Sequence, residues 1–160
     1  MDTNRYAPPL APVADDILVE PAPALWNPNA AANWSLLFTP AFGAWLHMRN
    51  WQALGDEAAA ARSRIWLQAS LGMLVLWLLA ALLFAEQLPP ALDRIAFFVL
   101  LISWYFGSAR SQAGYVKRRF GDDYPRLSWG KPIGVAIGVF VGYLLVAFVL
   151  GFVMAAIRGH

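Results

Sequence analysis

Histidine is scarce in this chain: only His47 and His160 occur. His47 follows an apolar run, where an imidazole can relay a proton or ligate a metal near neutral pH. Its place two residues before Arg49 fits equally a side chain at a membrane–water boundary. Two histidines are few for a His-based metal site. Asp122 and Asp123 are adjacent carboxylates, but hard cations need more oxygen ligands than such a pair supplies. They read more simply as partners of nearby bases or as turn caps. Cysteine is absent, which removes disulfides, thiolate nucleophiles, Cys-ligated zinc and iron–sulfur clusters. No Gly-x-Ser-x-Gly elbow, His-Glu-x-x-His pair or phosphate loop is found.

A second cluster is basic. Lys117, Arg118, Arg119, Arg126 and Lys131 alternate with aromatics in YVKRRFGDDYPRLSWGK. Such a pattern can bind nucleic acid. Between two long apolar runs it is better read as a topology signal in contact with anionic lipid headgroups. The residues therefore imply no enzyme, no cofactor, no metal and no nucleic-acid partner.

The elements that must position these groups are hydrophobic. Of the 160 residues, 59% are hydrophobic and 14% charged, against roughly 25% charged in an ordinary soluble domain. Residues 65–85 and 133–157 carry no charge over 21 and 25 positions. A crossing helix needs roughly 20 apolar residues, so both read as membrane spans. Residues 91–109 form a shorter span whose helix continues into the basic segment, with 110–132 as the connection. The expected fold is all-α: a single helical membrane domain over 34–160 with three transmembrane helices. Ahead of it, residues 1–33 read as an irregular Pro/Ala-rich tail without a signal-peptide pattern, because Pro8, Pro9, Pro12, Pro21, Pro23 and Pro28 each remove a backbone donor.

Residues 34–48 (WSLLFTPAFGAWLHM) are apolar but too short to span comfortably. Pro40 and Gly43 interrupt them, with His47 near the end. A re-entrant element, an interfacial helix and a short broken span all fit, the first two being favoured. Asp56 and Glu57 then open a helix that runs into the first span.

Two small-residue rows stand out. Gly134, Gly138 and Gly142 recur at four-residue intervals in the last span, and Ser103, Gly107 and Ser111 do so in the second. Small residues let helix backbones approach closely in lipid. Either packing within the chain or an interface with a partner or second copy would use them, and the serine–glycine row is a candidate surface to receive the last span. No span holds a central Asp, Glu, Lys or Arg, the groups that ion-coupled transporters place at depth. Trp34, Trp45, Trp51, Trp66, Trp104 and Trp129 read mainly as an interfacial belt.

Nine of the twelve Lys and Arg residues fall before the first long span or between the second and third. Three crossings put both groups on one side, which the positive-inside rule makes cytoplasmic, with the C-terminus outside. The side of the tail is open.

The stretch Asn33 to Gly55 resembles small uncharacterised bacterial inner-membrane proteins of a domain-of-unknown-function family, which pair an Asn-Trp start with an apolar Pro-containing segment and a basic end. Asn33, Trp34, Pro40, His47 and Arg49 carry the likeness, as does YVKRRFG further on; the Tyr-Arg-Lys ending is missing here. The resemblance implies a bacterial cytoplasmic membrane and assigns no functional residues. The expected role is interaction in the membrane, as an accessory subunit, scaffold or immunity-type protein. The competing role is an oligomeric channel or transporter for a small solute or lipid.

Overall fold

The computed structural model describes residues 21–84, 87–89 and 91–159. Asn27 begins the first helix: its side-chain oxygen accepts from the amides of Asn29 and Ala30 at 3.0 and 3.2 Å, an N-cap that satisfies two otherwise unpaired donors. Helix α1 is Pro28–Phe38 and helix α2 is Pro40–Ala53. Both start on a proline at the first position, where its missing N–H costs nothing. Pro28 and Pro40 thus open helices instead of breaking them. The expected irregular tail is corrected over 28–33, which are helical, and the single segment 34–48 becomes a two-helix hairpin. Residues 1–20 of the tail lie outside the described residues.

The break between the helices is Thr39, at φ 79° and ψ 160°. A following proline disfavours helical backbone in the residue before it. Positive φ in a β-branched residue costs on the order of 1–3 kcal/mol. Thr39 therefore forms a sharp tip, and α2 folds back along α1. Gly55, at φ 73°, ends the turn after α2 in the left-handed conformation that glycine adopts without penalty. Asp56 caps the next helix by accepting from the Ala59 amide at 2.8 Å.

Helix α3 is Glu57–Phe84, and its first turns present small buried residues, Ala59, Ala60 and Ser63, to α2. Helix α4 is Leu92–Trp104; a π-helical turn, Tyr105–Ala109, joins it without a break to α5, Arg110–Phe120. The expected continuation of the second span's helix into the basic segment is present as α5, which takes up the first part of the connection 110–132. The π turn inserts one residue into the spiral. As a result Trp104 before it and Ser108, Ala109, Gln112 and Val116 within or after it all become buried. Helix α6 is Gly130–Arg158. Ala85, Glu86, Pro90 and His160 lie outside the described residues.

Three helical paths among the described residues are long and apolar enough to cross a membrane: Glu57–Phe84, Leu92–Phe120 and Gly130–Arg158. They run alternately. Arg158 donates to the Leu82 carbonyl at 2.7 Å, so α6 ends where α3 ends. At the opposite end, Leu25 donates to the Pro125 carbonyl and accepts from the Leu127 amide, both at 2.9 Å. The two basic groups share that end, around the start of α3 and the α5–α6 connection. Side chains such as Phe148, Phe152 and Ile157 are at least 70% exposed, and an apolar surface of this kind marks a membrane or protein interface.

Candidate functional site

The base of the hairpin is polar and closed. Gly43, His47 and Asn50 follow a spacing of four and three, so they share one face of α2. That face meets α1 on one side and the π turn and α5 on the other. Asn50 is buried and holds the chain entering α1: its Oδ1 accepts from the Trp26 amide at 3.0 Å, and its Nδ2 donates to the Trp26 carbonyl at 2.8 Å. The same amide group donates to Oε1 of Gln112 at 3.1 Å, and Gln112 Nε2 donates to the His47 carbonyl at 2.8 Å. Trp26 Nε1 donates to the Ser128 carbonyl at 3.0 Å. Segments far apart in sequence are thus tied by one network, in which each bond strengthens its neighbours in a low dielectric.

His47 is fully buried. Its Nε2 lies 3.2 Å from the Pro28 carbonyl. A carbonyl only accepts, so Nε2 carries the proton of the neutral ring and Nδ1 keeps a lone pair. Nδ1 has no hydrogen-bond partner among the described residues, and neither has Nε1 of Trp104, whose ring centroid lies 5.5 Å from that of His47. Burial lowers the His47 pKa from 6.5 to about 4, against the opposing pull of the Pro28 carbonyl. Between these values the unfolded chain binds a proton that the folded chain excludes, so stability falls as pH drops from about 7 towards 4 and levels off below. The full effect is on the order of 3 kcal/mol. His47→Gln is expected to flatten this part of the pH–stability curve, read by denaturant unfolding in detergent with tryptophan fluorescence. Equal slopes for variant and wild type would show that His47 is not the titrating group.

The other expected residues are distributed. Gly43 is packed against Ser35 and Trp104, which lie where a side chain would begin. Pro40 is buried at the tip. Gly107 belongs to the π turn, and a Cβ added there would meet Cζ2 of Trp66 at 2.8 Å. Its row is thus filled at Gly107 by α3, while Ser111 donates to the Ser108 carbonyl at 2.7 Å and Ser103 is exposed. For Gly134, Gly138 and Gly142 an added Cβ meets nothing within 4 Å among the described residues. Lys117, Arg118, Arg119, Arg126 and Lys131 are all exposed at the basic end. Arg119 donates to the Tyr115 hydroxyl at 2.7 Å and lies 5.5 Å from the Phe120 ring centre. Arg126 pairs with Asp122 at 3.4 Å on the surface, a pair worth little. Trp104 is wholly buried, so it does not join an interfacial belt. Among the described residues no three His, Asp or Glu side chains converge as metal ligands would.

Sequence reasoning missed Asn50 and Gln112. The available signal was the shared helix face of Gly43, His47 and Asn50; nothing local marks Gln112. The fold defines an all-helical chain with three candidate membrane-crossing helices and a polar-based hairpin packed among them. No known family profile, no curated protein and no solved structure matches it.

Proposed function

We propose that this chain is a small polytopic membrane protein that works by helix–helix association within the bilayer, as an accessory subunit, scaffold or immunity-type protein. The observation that carries the reading is the open glycine face of α6. Gly43 and Gly107 are filled by neighbours within the chain, whereas Gly134, Gly138 and Gly142 have open space where a side chain would stand. Glycine inside a helix costs up to about 1 kcal/mol relative to alanine. In lipid it is offset when a second backbone approaches closely. A partner helix or the α6 of a second copy would supply that contact.

The basic end would face the cytoplasm by the positive-inside rule. The hairpin would then enter from that side and return to it. At roughly 16 Å for α1 and 21 Å for α2, it reaches partway through a hydrocarbon core of roughly 30 Å. The exposed lysines and arginines would touch anionic headgroups, each contributing about 1 kcal/mol. The likeness of Asn33–Gly55 to small bacterial inner-membrane proteins supports a bacterial cytoplasmic membrane.

Gly138→Leu is the test. It is expected to leave the thermal melt of the detergent-solubilised chain unchanged and to lower the recovered complex, by in-membrane cross-linking or affinity purification in mild detergent, at least tenfold. A lone monomer from the wild type under several conditions, or an undiminished complex from the variant, would count against association through this face.

A further inference from the structure

The hairpin is shorter than the helices beside it. Helix α2 has 14 residues and α3 has 28, or roughly 21 and 42 Å at the usual rise per residue. Beyond the tip, α3 and α4 continue without it. The column that a full-length helix would fill is instead a cavity of about 310 Å³. Thr39 and Pro40 close its inner end. Ser70, Trp77 and Phe97 line its sides, and Asp93 and Arg94, consecutive on the first turn of α4, line it as well. From Leu100, which also lines the cavity, to Arg94 the helix rises roughly 9 Å. The space is therefore apolar along its depth and carries one acid and one base at the end away from the basic face.

Thr39, a non-glycine residue at positive φ, lies at the same cavity, so the inner end of the space is the strained tip of the hairpin. The volume falls at the lower end of the range of small-molecule sites, and apolar walls with a few placed polar groups are their usual composition.

We infer that this cavity binds one acyl chain of a glycerophospholipid with a zwitterionic, primary-ammonium headgroup. The glycerol-proximal part of the chain lies between α3 and α4 down to the hairpin tip, and the remainder turns out into the bilayer. The phosphate meets the Arg94 guanidinium, and the ammonium donates to the Asp93 carboxylate. Adjacent opposite charges match adjacent phosphate and ammonium; a quaternary ammonium has no N–H to give, and an uncharged diacylglycerol offers neither contact. The inference needs the chain to lie in a bilayer. It is independent of association through α6, and its test does not read that association.

The full chain is purified in mild detergent and examined by native mass spectrometry with four probes of matched chains where chains exist: phosphatidylethanolamine, phosphatidylcholine, diacylglycerol and glycerophosphoethanolamine. The expected result is at least tenfold more adduct with phosphatidylethanolamine than with diacylglycerol, less with phosphatidylcholine, and none with the headgroup alone. Arg94→Gln and Asp93→Asn, both at exposed positions, bring phosphatidylethanolamine down to the diacylglycerol level. Ala96→Phe fills the cavity and lowers all lipid adducts about tenfold, while the circular-dichroism melt stays in place. If Ala96→Phe does not yield folded protein, the two rim variants decide. Equal adducts for phosphatidylethanolamine and diacylglycerol, a headgroup-only adduct as strong as the lipid's, or rim variants that bind as wild type would each overturn the assignment.

Discussion

Gly43→Leu is expected to abolish the folded state, while the same change at Gly138 leaves it intact. At Gly43 the space is already taken. A Cβ would meet the Ser35 hydroxyl and the six-membered ring of Trp104. Neither neighbour can step aside. Ser35 is buried and its hydroxyl donates to the Ala31 carbonyl at 2.9 Å, which fixes it on α1. Trp104 is wholly buried against the hairpin. Overpacking in a rigid core costs about 1–3 kcal/mol for a few added atoms. Four added carbons against two fixed groups exceed that, and α2 must leave α1 or the π turn to admit them. The expected readout is loss of monodisperse protein on gel filtration in detergent, with Gly43→Ala intermediate. Trp104→Leu in the Gly43→Ala background is expected to return part of the lost stability by making room. A Gly43→Leu chain as stable as wild type would mean that α2 does not pack this way.

The second large effect is at Gln112. Gln112→Leu removes the donor to the His47 carbonyl and the acceptor for Asn50 in one step. Both groups lie in a buried site where water cannot easily replace the bond. An unsatisfied buried group costs about 1–3 kcal/mol, so a loss of about 2–4 kcal/mol is expected. Asn50→Leu is expected to cost as much and also to free the Trp26 backbone, which faster hydrogen exchange at residues 25 and 26 would report. Because the two amides form one network, the double variant should cost at least about 1 kcal/mol less than the sum of the singles. Strict additivity would show that the bonds act independently.

Much of the fold is legible in the sequence, for a physical reason. Runs such as Ile133–Ile157 announce themselves because length and the absence of charge are all a crossing helix needs. The hairpin is harder to read. Pro40 reads locally as a breaker, and only the conformation of Thr39 decides that it starts a helix instead. Pro28 misleads in the same way. The network at the hairpin base is legible only on the α2 side, through the register of Gly43, His47 and Asn50. Its other half, Gln112, becomes buried because the π turn adds a residue to the spiral after Trp104, and no composition rule marks that insertion. The glycine row of α6 was visible as a row, but its openness depends on where the other helices stop.

The joint between Leu25 and the α5–α6 connection has a meaning in time as well as in space. Trp26 bonds to Ser128 across 102 residues, and Asn50 bonds to Gln112 across 62. A chain made from its N-terminus produces α1 and α2 long before either partner exists. The bonds from Asn50 to Trp26 and from His47 to Pro28 can form at once, but the hairpin is not tied to the rest of the chain until α5 and the segment after it have been made. A chain halted before residue 112 would therefore carry a hairpin closed on itself but not yet latched to α5.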